Sequence, residues 1–227
     1  MKLLPLTLAA CLLLPALSVQ AADRAVSTYT ETSPAMNIKV SWERFGLPLP
    51  DGFSDAMVAE AVAAFRAAAD EEYEGMMQSR EPEARFPLEM NLEGTIYDNG
   101  RTACILWENY QYLGGAHGNL ALYSRNYRLP EGTPLEFDDV FREPEKALLL
   151  VSALSRSKLL QRDLPESMVT PGTEPEKENF QTFRLEKDGI TFYFDPYQVA
   201  SWADGVITVT LSLSELAEAG PNPSFWN

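Results

Sequence analysis

Residues 88–112 have the sequence LEMNLEGTIYDNGRTACILWENYQY, which contains the strongest local signals for strands and a turn in the chain. Its beginning, Leu88–Leu92, alternates apolar and polar side chains, which is typical of a half-buried β-strand. Asn99-Gly100 separates this strand from a second strand-like run, Arg101–Tyr112. Because Asn-Gly between two such runs is a strong hairpin signal, the stretch predicts an antiparallel pair of strands.

A strand and a long helix are predicted ahead of this hairpin. Asn37–Glu43 alternates polar and apolar residues, and Leu47–Gly52 is predicted to be a proline-punctuated loop. Ser54 is a candidate N-cap for a helix that continues to about Met77, because apolar residues then recur at spacings of three and four. Arg80–Arg85 is expected to be a charged loop.

A second helix and a second hairpin are predicted downstream. Pro144 can occupy the first turn of a helix over about Glu145–Arg162, and Leu164–Glu178 is expected to be a long exposed loop because it contains three prolines and many acids. The other predicted elements are a strand Leu120–Leu129, a helical corner Phe137–Phe141, a hairpin of Phe180–Lys187 and Ile190–Phe194, a last strand Val206–Leu213 and a loose tail over 218–227.

The predicted elements do not alternate as βαβ units, which favours the α+β class with a largely antiparallel sheet and two main helices. We predict two small subdomains that share a core, over residues 36–91 and 92–217.

The N-terminus has the pattern of an export signal. An apolar run over residues 3–17 and the small residues of Val19-Gln20-Ala21 predict a signal peptide over 1–21, cleaved after Ala21. Leu8–Cys11 also matches a lipobox, which would make Cys11 a lipidated N-terminus, but the apolar run continues past it. We expect a periplasmic or secreted protein without a transmembrane helix after cleavage, with residues 22–35 as a mobile leading segment.

Composition narrows the possible functions. The 227 residues contain 18 Lys and Arg against 33 Asp and Glu, a net charge of −15, which disfavours nucleic acid and anionic membranes and favours basic partners. Cys104 lies in an apolar run and is interpreted as a small buried side chain. Neither a metal site nor a cofactor is predicted, and no residue is assigned a catalytic role.

The glycine-rich run Gly114-Gly115-Ala116-His117-Gly118-Asn119 contains the single histidine of the sequence. Glycine permits backbone turns that bulkier residues avoid, so the run predicts a tight loop between two strands. Two interpretations remain open: His117 lies at the tip of a ligand-contacting loop, or its ring is bonded to a nearby carbonyl or carboxylate for structural reasons.

Two further groups of residues permit alternative interpretations. Asp138-Asp139 could hold a cation or act in glycoside hydrolysis, or could belong to a capped turn. Four aromatic residues could form a face that stacks on sugars or binds protein, or could fill the core between sheet and helix. They are Tyr112, Tyr193, Tyr197 and Trp202.

Two motifs resemble a family. Residues 112–119, YLGGAHGN, and residues 188–200, DGITFYFDPYQVA, resemble the domain-of-unknown-function family at the C-terminus of RsiV-type anti-sigma factors. The resemblance spans about Leu92–Leu216, and Ile38–Met90 is more weakly similar to the small domain that precedes it there and in PdaC-type peptidoglycan deacetylases. It implies a two-part extracytoplasmic α+β module, and the best-understood relative senses lysozyme by direct binding.

We therefore expect an exported, non-enzymatic binding module of the cell envelope that recognises a basic protein such as lysozyme, or peptidoglycan. The sequence pattern lacks the sigma-binding segment and the spanning helix, so we do not expect the chain to be a transmembrane anti-sigma factor. It also lacks the deacetylase domain, so we do not expect deacetylase activity. The alternative is an envelope glycan or peptidoglycan hydrolase that uses His117 with Asp138 or Asp139. The predicted ligand-binding residues are Gly114, Gly115, His117, Gly118, Asn119 and Tyr197.

Overall fold

The computed structural model describes residues 24–78 and 87–226, which form two β-sheets with helices packed on them. The α+β class is confirmed. The predicted signal peptide over 1–21, including Cys11, and the predicted loop Arg80–Arg85 lie outside the described residues. Within the described ranges, none of the helices combines the length and the apolar character that crossing a bilayer requires.

The larger sheet has six strands in the order in which they occur along the chain. Every neighbouring pair is antiparallel except the second and third strands, which are parallel. The hairpin predicted around Asn99-Gly100 is confirmed, with Glu93 opposite Glu108 in its register. The strands are β1 (Val26–Thr32), β2 (Met36–Glu43), β3 (Leu88–Asp98), β4 (Thr102–Tyr112), β5 (Asn119–Arg128) and β6 (Thr133–Leu135).

The long helix α1 (Pro48–Met77) connects the two parallel strands β2 and β3. This connection is a βαβ unit, contrary to the prediction that the elements do not alternate in this way, because the pairing of β2 with β3 depends on where α1 returns the chain. One face of α1 contributes Val58, Val62 and Phe65 to a core with the inward residues of the sheet.

The start of α1 differs from its prediction. Residues 48–52, expected in a loop, form the first turns of the helix, because proline is compatible with a helix's first turn. Ser54 lies inside the helix, where its hydroxyl donates to the Pro50 carbonyl at 3.0 Å, and therefore does not cap it. The side chain of Asp51 accepts hydrogen bonds from the amides of Phe45 and Gly46.

The remaining chain forms a second core under a three-stranded antiparallel sheet. Helix α3 (Pro144–Leu160) supplies Val151 and Leu159 to this core, with Leu148 and Leu154 packed against it. The elements are α2 (Phe137–Val140), α3 (Pro144–Leu160), α4 (Glu166–Gly172), β7 (Phe183–Leu185), β8 (Gly189–Phe194) and β9 (Ile207–Ser212).

Three segments expected to lack regular structure are ordered elements. The predicted mobile segment 22–35 contains β1, and Arg66 of α1 ties this strand to the helix through Glu31 and Tyr29. The predicted loop Leu164–Glu178 contains α4. The described part of the predicted loose tail, residues 218–226, is packed, because Phe225 and Trp226 are buried in the second core. The predicted boundary between residues 91 and 92 falls within β3, so the larger sheet does not divide there.

A buried asparagine joins the two sheets. The Asn99 side chain accepts hydrogen bonds from the amides of Arg101 and Thr102 within its own turn. Its amide nitrogen donates to the carbonyls of Glu186, after β7, and of Phe225, near the C-terminus, at 3.2 and 3.0 Å. The tip of the β3–β4 hairpin is therefore fixed against the smaller sheet.

Candidate functional site

The loop between β4 and β5 makes a tight turn in which two glycines are required. Gly114 has a left-handed backbone with φ of +81°. A Cβ on Gly118 would overlap the ring of Tyr110, so that close approach depends on glycine. A Cβ on Gly115 would be 3.7 Å from the nearest atom, an ordinary contact. Asn119, predicted in the loop, is the first residue of β5 and pairs with Gln111.

His117 is exposed on this loop and is held by three contacts. Its Nδ1 lies 2.8 Å from the Gly118 carbonyl oxygen, which can only accept, so Nδ1 carries the proton in this bond. In the neutral ring, Nε2 is then an acceptor, and the Tyr197 hydroxyl lies 3.3 Å from it and donates. The ring also stacks on Trp202, with centroids 4.7 Å apart and an 18° interplanar angle.

Tyr197 completes a group of three rings, which we call the aromatic platform: His117, Tyr197 and Trp202. The Tyr197 ring centroid lies 6.3 Å from that of His117 and 6.2 Å from that of Trp202. Tyr197 is 55% exposed, and the Trp202 side chain is half-buried beside it. The platform therefore unites the two sequence motifs, whose residues are 80 positions apart.

The segment that carries Tyr197 is anchored at most of its other positions. The Asp195 carboxylate accepts from the amide of Leu122 in β5 at 2.9 Å, and burial raises the pKa of this carboxyl. The Gln198 side chain donates to the carbonyls of Gly172 and Asn179, both at 3.1 Å. Val199 and Ala200, which follow, are buried.

Backbone strain accompanies this arrangement. Tyr197 has φ of +72°, in the left-handed region that costs a residue with a Cβ about 1–2 kcal/mol. The amide of Tyr197 donates to the Ala200 carbonyl at 3.0 Å, which closes the turn. The turn packs so closely on α4 that a Cβ at Gly172 would overlap the Gln198 carbonyl oxygen. The surrounding structure therefore holds one tyrosine outward in a conformation that it would not adopt alone.

The other aromatic residues proposed for a common face do not all join the platform. Tyr193 lies on β8 beside Arg184, whose guanidinium carbon is 5.9 Å from its ring centroid, and burial raises its pKa to about 12. Tyr112 ends β4, immediately before the glycine-rich loop. Of the four residues, Tyr197 and Trp202 lie together and both contact His117, a contact that no local sequence pattern indicates.

The two aspartates considered as partners of His117 are engaged elsewhere. Asp138 forms an ion pair with Lys177 at 2.5 Å. The Asp139 carboxylate accepts from the amide of Glu136 at 2.9 Å, as part of a capping box at α2. The structure therefore agrees with the interpretation that Asp138-Asp139 belongs to a capped turn. The partners of His117 among the described residues are the Gly118 carbonyl and the platform rings.

The free cysteine of the described residues, Cys104, is buried. Cys104 is 2% exposed, its sulfur lies 3.7 Å from the Phe183 carbonyl, and burial raises its thiol pKa to about 12. The expectation of a buried cysteine is confirmed. Over residues 24–78 and 87–226, no group of three or more His, Cys, Asp or Glu side chains is arranged to hold a metal ion.

Comparison with known proteins identifies related sequences and folds. A sequence model described as "Protein of unknown function (DUF3298)" matches residues 138–214. This match contains the Tyr197 motif, and the glycine-rich loop precedes it. PdaC is a relative of this chain, which is 32% identical over 136 residues to the peptidoglycan-N-acetylmuramic acid deacetylase PdaC of Bacillus subtilis. The assignment of that likeness to Ile38–Met90 stays a prediction. The resemblance to RsiV-type anti-sigma factors stays a prediction.

These relatives are matched over only part of their length. The PdaC match covers 57% of this chain and 29% of PdaC. The immunogenic protein MPT64 of Mycobacterium tuberculosis is 22% identical, over 57% of this chain and 59% of that protein.

Solved structures share the fold at low sequence identity. A DUF3298 family protein from Pseudomonas aeruginosa has a TM-score of 0.59 at 13% identity, covering 90% of this chain and 97% of that one. A DUF3298 member from Bacteroides fragilis has a TM-score of 0.56 at 18% identity, covering 88% and 95%. The chain thus carries a DUF3298 match over residues 138–214 within a fold that solved DUF3298 proteins share.

Proposed function

We propose that this chain is a non-enzymatic binding module of the cell envelope that holds a sugar of the cell-wall glycan on the aromatic platform. The observation that carries the proposal is the exposed, strained Tyr197, held against His117 while its neighbours in the motif are anchored inward. Backbone strain at an exposed side chain is a reason to infer function, since a fold without such a role would relax it.

The chemistry of the platform suits a sugar ring. An aromatic face offers a flat apolar surface for the C–H groups of a pyranose, while the hydroxyls at the sugar's rim need hydrogen-bond partners. The platform supplies both, because the Tyr197 hydroxyl donates to His117 and its oxygen can still accept a hydrogen bond from a sugar hydroxyl. The name of the PdaC relative, a peptidoglycan-N-acetylmuramic acid deacetylase, supports a cell-wall glycan as the class of ligand.

The alternative of a hydrolase that uses His117 is less well supported. It requires a carboxylate within hydrogen-bond reach of the imidazole, and both Asp138 and Asp139 have other partners. Asp195, whose pKa is raised by burial, is bonded to the Leu122 amide and acts as an anchor for the turn.

A basic protein such as lysozyme is the second candidate partner, and the net charge of −15 favours it. Electrostatic attraction of this kind speeds association and is screened over about 8–10 Å at physiological salt. Binding to a basic protein is therefore expected to weaken as salt rises, whereas stacking of a sugar on aromatic rings is expected to depend little on salt.

The test is retention of the purified protein on insoluble peptidoglycan, compared with lysozyme coupled to beads, at about 0.05 and about 0.5 M salt. Tyr197→Ala and Trp202→Ala are expected to reduce retention on peptidoglycan about tenfold, as for contacts at the centre of an interface. Tyr123→Ala is the matched control, because Tyr123 is a 49% exposed tyrosine in the middle of β5, opposite Trp107.

His117→Ala is measured for both affinity and melting temperature. Because His117 is exposed, its replacement is expected to weaken retention and to leave the melting temperature nearly unchanged. Equal retention of the Tyr197 and Tyr123 variants on peptidoglycan would refute the platform as the binding site. Salt-sensitive capture by lysozyme alone would select the second candidate.

A further inference from the structure

A cleft lies where the end of β3 meets the smaller sheet, and none of the residues of the aromatic platform lines it. Its volume is about 590 Å³, and it opens between the end of β3 and the outward face of the smaller sheet. Clefts at the junction of two structural units are common places for small-ligand sites. The residues that line it are Asp98, Arg184, Glu186, Lys187, Asp188, Thr191, Tyr193, Thr208 and Thr210.

Arg184 of β7 is held rigidly within this cleft. Its guanidinium carbon lies 3.9 Å from the centroid of the Tyr97 ring, with Tyr193 nearby on the β8 side. Its Nε donates to a carboxylate oxygen of Glu186 at 2.7 Å, and the same oxygen accepts from the Thr191 hydroxyl at 2.8 Å. Stacking and this bond fix the plane of the guanidinium before any ligand arrives.

The two terminal nitrogens of Arg184 remain available. Across the described ranges, the hydrogen bonds and ion pair recorded for this side chain use only Nε. An arginine whose two terminal nitrogens are unpaired can bind a carboxylate through two parallel hydrogen bonds. Threonine hydroxyls line the neighbouring strands, where Thr191 and Thr210 are bonded to each other at 2.9 Å.

The charges around the cleft select among anions. Three carboxylates, of Asp98, Glu186 and Asp188, share the lining with the cations of Arg184 and Lys187. The lining therefore carries two positive and three negative charges, a net charge of −1, which disfavours a doubly charged phosphate more than a singly charged carboxylate. A peptide end also carries amide groups that the threonine hydroxyls can bond. We propose that this cleft binds the C-terminal carboxylate of a short peptide, with Arg184 as its anchor.

The probe is the dipeptide alanyl-alanine, compared with the same dipeptide amidated at its C-terminus. Binding to the full chain is followed by two-dimensional amide NMR. The free acid is expected to shift the amides of Thr191, Tyr193 and Thr210, and the amidated dipeptide to bind about tenfold more weakly, because it cannot accept the charge-assisted bonds.

Arg184→Lys, which keeps the charge and removes the fork, is expected to weaken binding of the free acid about tenfold. Arg125→Lys is the matched control, because Arg125 stacks on Phe53 of α1, 4.4 Å from its ring. Thr210→Val removes an exposed hydroxyl of the lining and is expected to weaken binding about threefold, which keeps the test valid if Arg184→Lys is destabilised.

Equal affinity for the acid and the amide, or tighter binding of inorganic phosphate than of the dipeptide, would overturn the proposal. An equal loss in the Arg125 and Arg184 variants would overturn it as well. Tyr197→Ala is expected to leave dipeptide binding unchanged, so the outcome here is independent of the result for the aromatic platform.

Discussion

Replacing Tyr197 by alanine and by glycine tests the strained backbone directly. Both substitutions remove the same exposed ring and its contacts with His117 and Trp202, so those losses cancel in the comparison. What differs is the left-handed backbone at φ of +72°, which is unfavourable for alanine and readily adopted by glycine.

The expected difference follows from two opposing effects. The left-handed conformation costs alanine about 1–2 kcal/mol. Glycine avoids this cost but loses more chain entropy on folding, which reduces its advantage over alanine by about 0.5–1 kcal/mol. The Tyr197→Gly variant is therefore expected to be more stable than the Tyr197→Ala variant by about 1 kcal/mol, or about 2–4 °C in melting temperature for a chain of this size.

Thermal unfolding followed by circular dichroism measures this difference. Ala203→Gly is the control, since Ala203 lies in the short right-handed turn Trp202–Asp204, where glycine is expected to lower stability by about 0.5–1 kcal/mol. A Tyr197→Ala variant that melts at or above the temperature of Tyr197→Gly would refute the account of strain, and with it the reason to assign Tyr197 a function.

Three further predictions concern stability and reactivity. Gly172→Ala is expected to lower the free energy of unfolding by about 1–3 kcal/mol in chemical denaturation, because the new Cβ would overlap the Gln198 carbonyl. The bonds to Glu215 from Lys158 and Ser212 lower its pKa to about 2, below the ordinary 4.5. The contribution of Glu215 to stability is therefore present above pH 4.5 and lost as the pH falls toward 2. Glu215→Gln is expected to make the free energy of unfolding depend less on pH over that range. Cys104, with its raised pKa and buried thiol, is expected to resist iodoacetamide at pH 8 and to react after unfolding, as mass spectrometry can show.

Local patterns in the sequence predict most of the strands, because side-chain alternation and hairpin turns are encoded over a few residues. The β3–β4 hairpin and the β7–β8 hairpin both follow from such signals. The parallel pairing of β2 with β3 does not, since it depends on where α1 returns the chain. Val26–Thr32 was missed because a Ser- and Thr-rich segment resembles a loop, although threonine is favoured in strands.

The sequence predicts the candidate site only in part, because local motifs can be recognised in it and contacts between distant residues cannot. His117 and Tyr197 are each marked by a motif, yet nothing local to either motif indicates that they touch. Trp202 is identifiable as an aromatic candidate, and its stacking on the imidazole requires the fold. The Arg184 cleft has no sequence signal, because its walls come from strands of two different sheets.

The asparagine that joins the two sheets has a consequence for the order in which the protein can be assembled during synthesis. The larger sheet is complete once Leu135 has been made, and its core can close then, as N-terminal units do when they leave the ribosome. The second core needs Phe225 and Trp226, and one of the bonds of Asn99 goes to the Phe225 carbonyl. The side-chain amide of Asn99 is therefore expected to stay hydrated while more than a hundred further residues are synthesised, and to become buried only when Phe225 is in place.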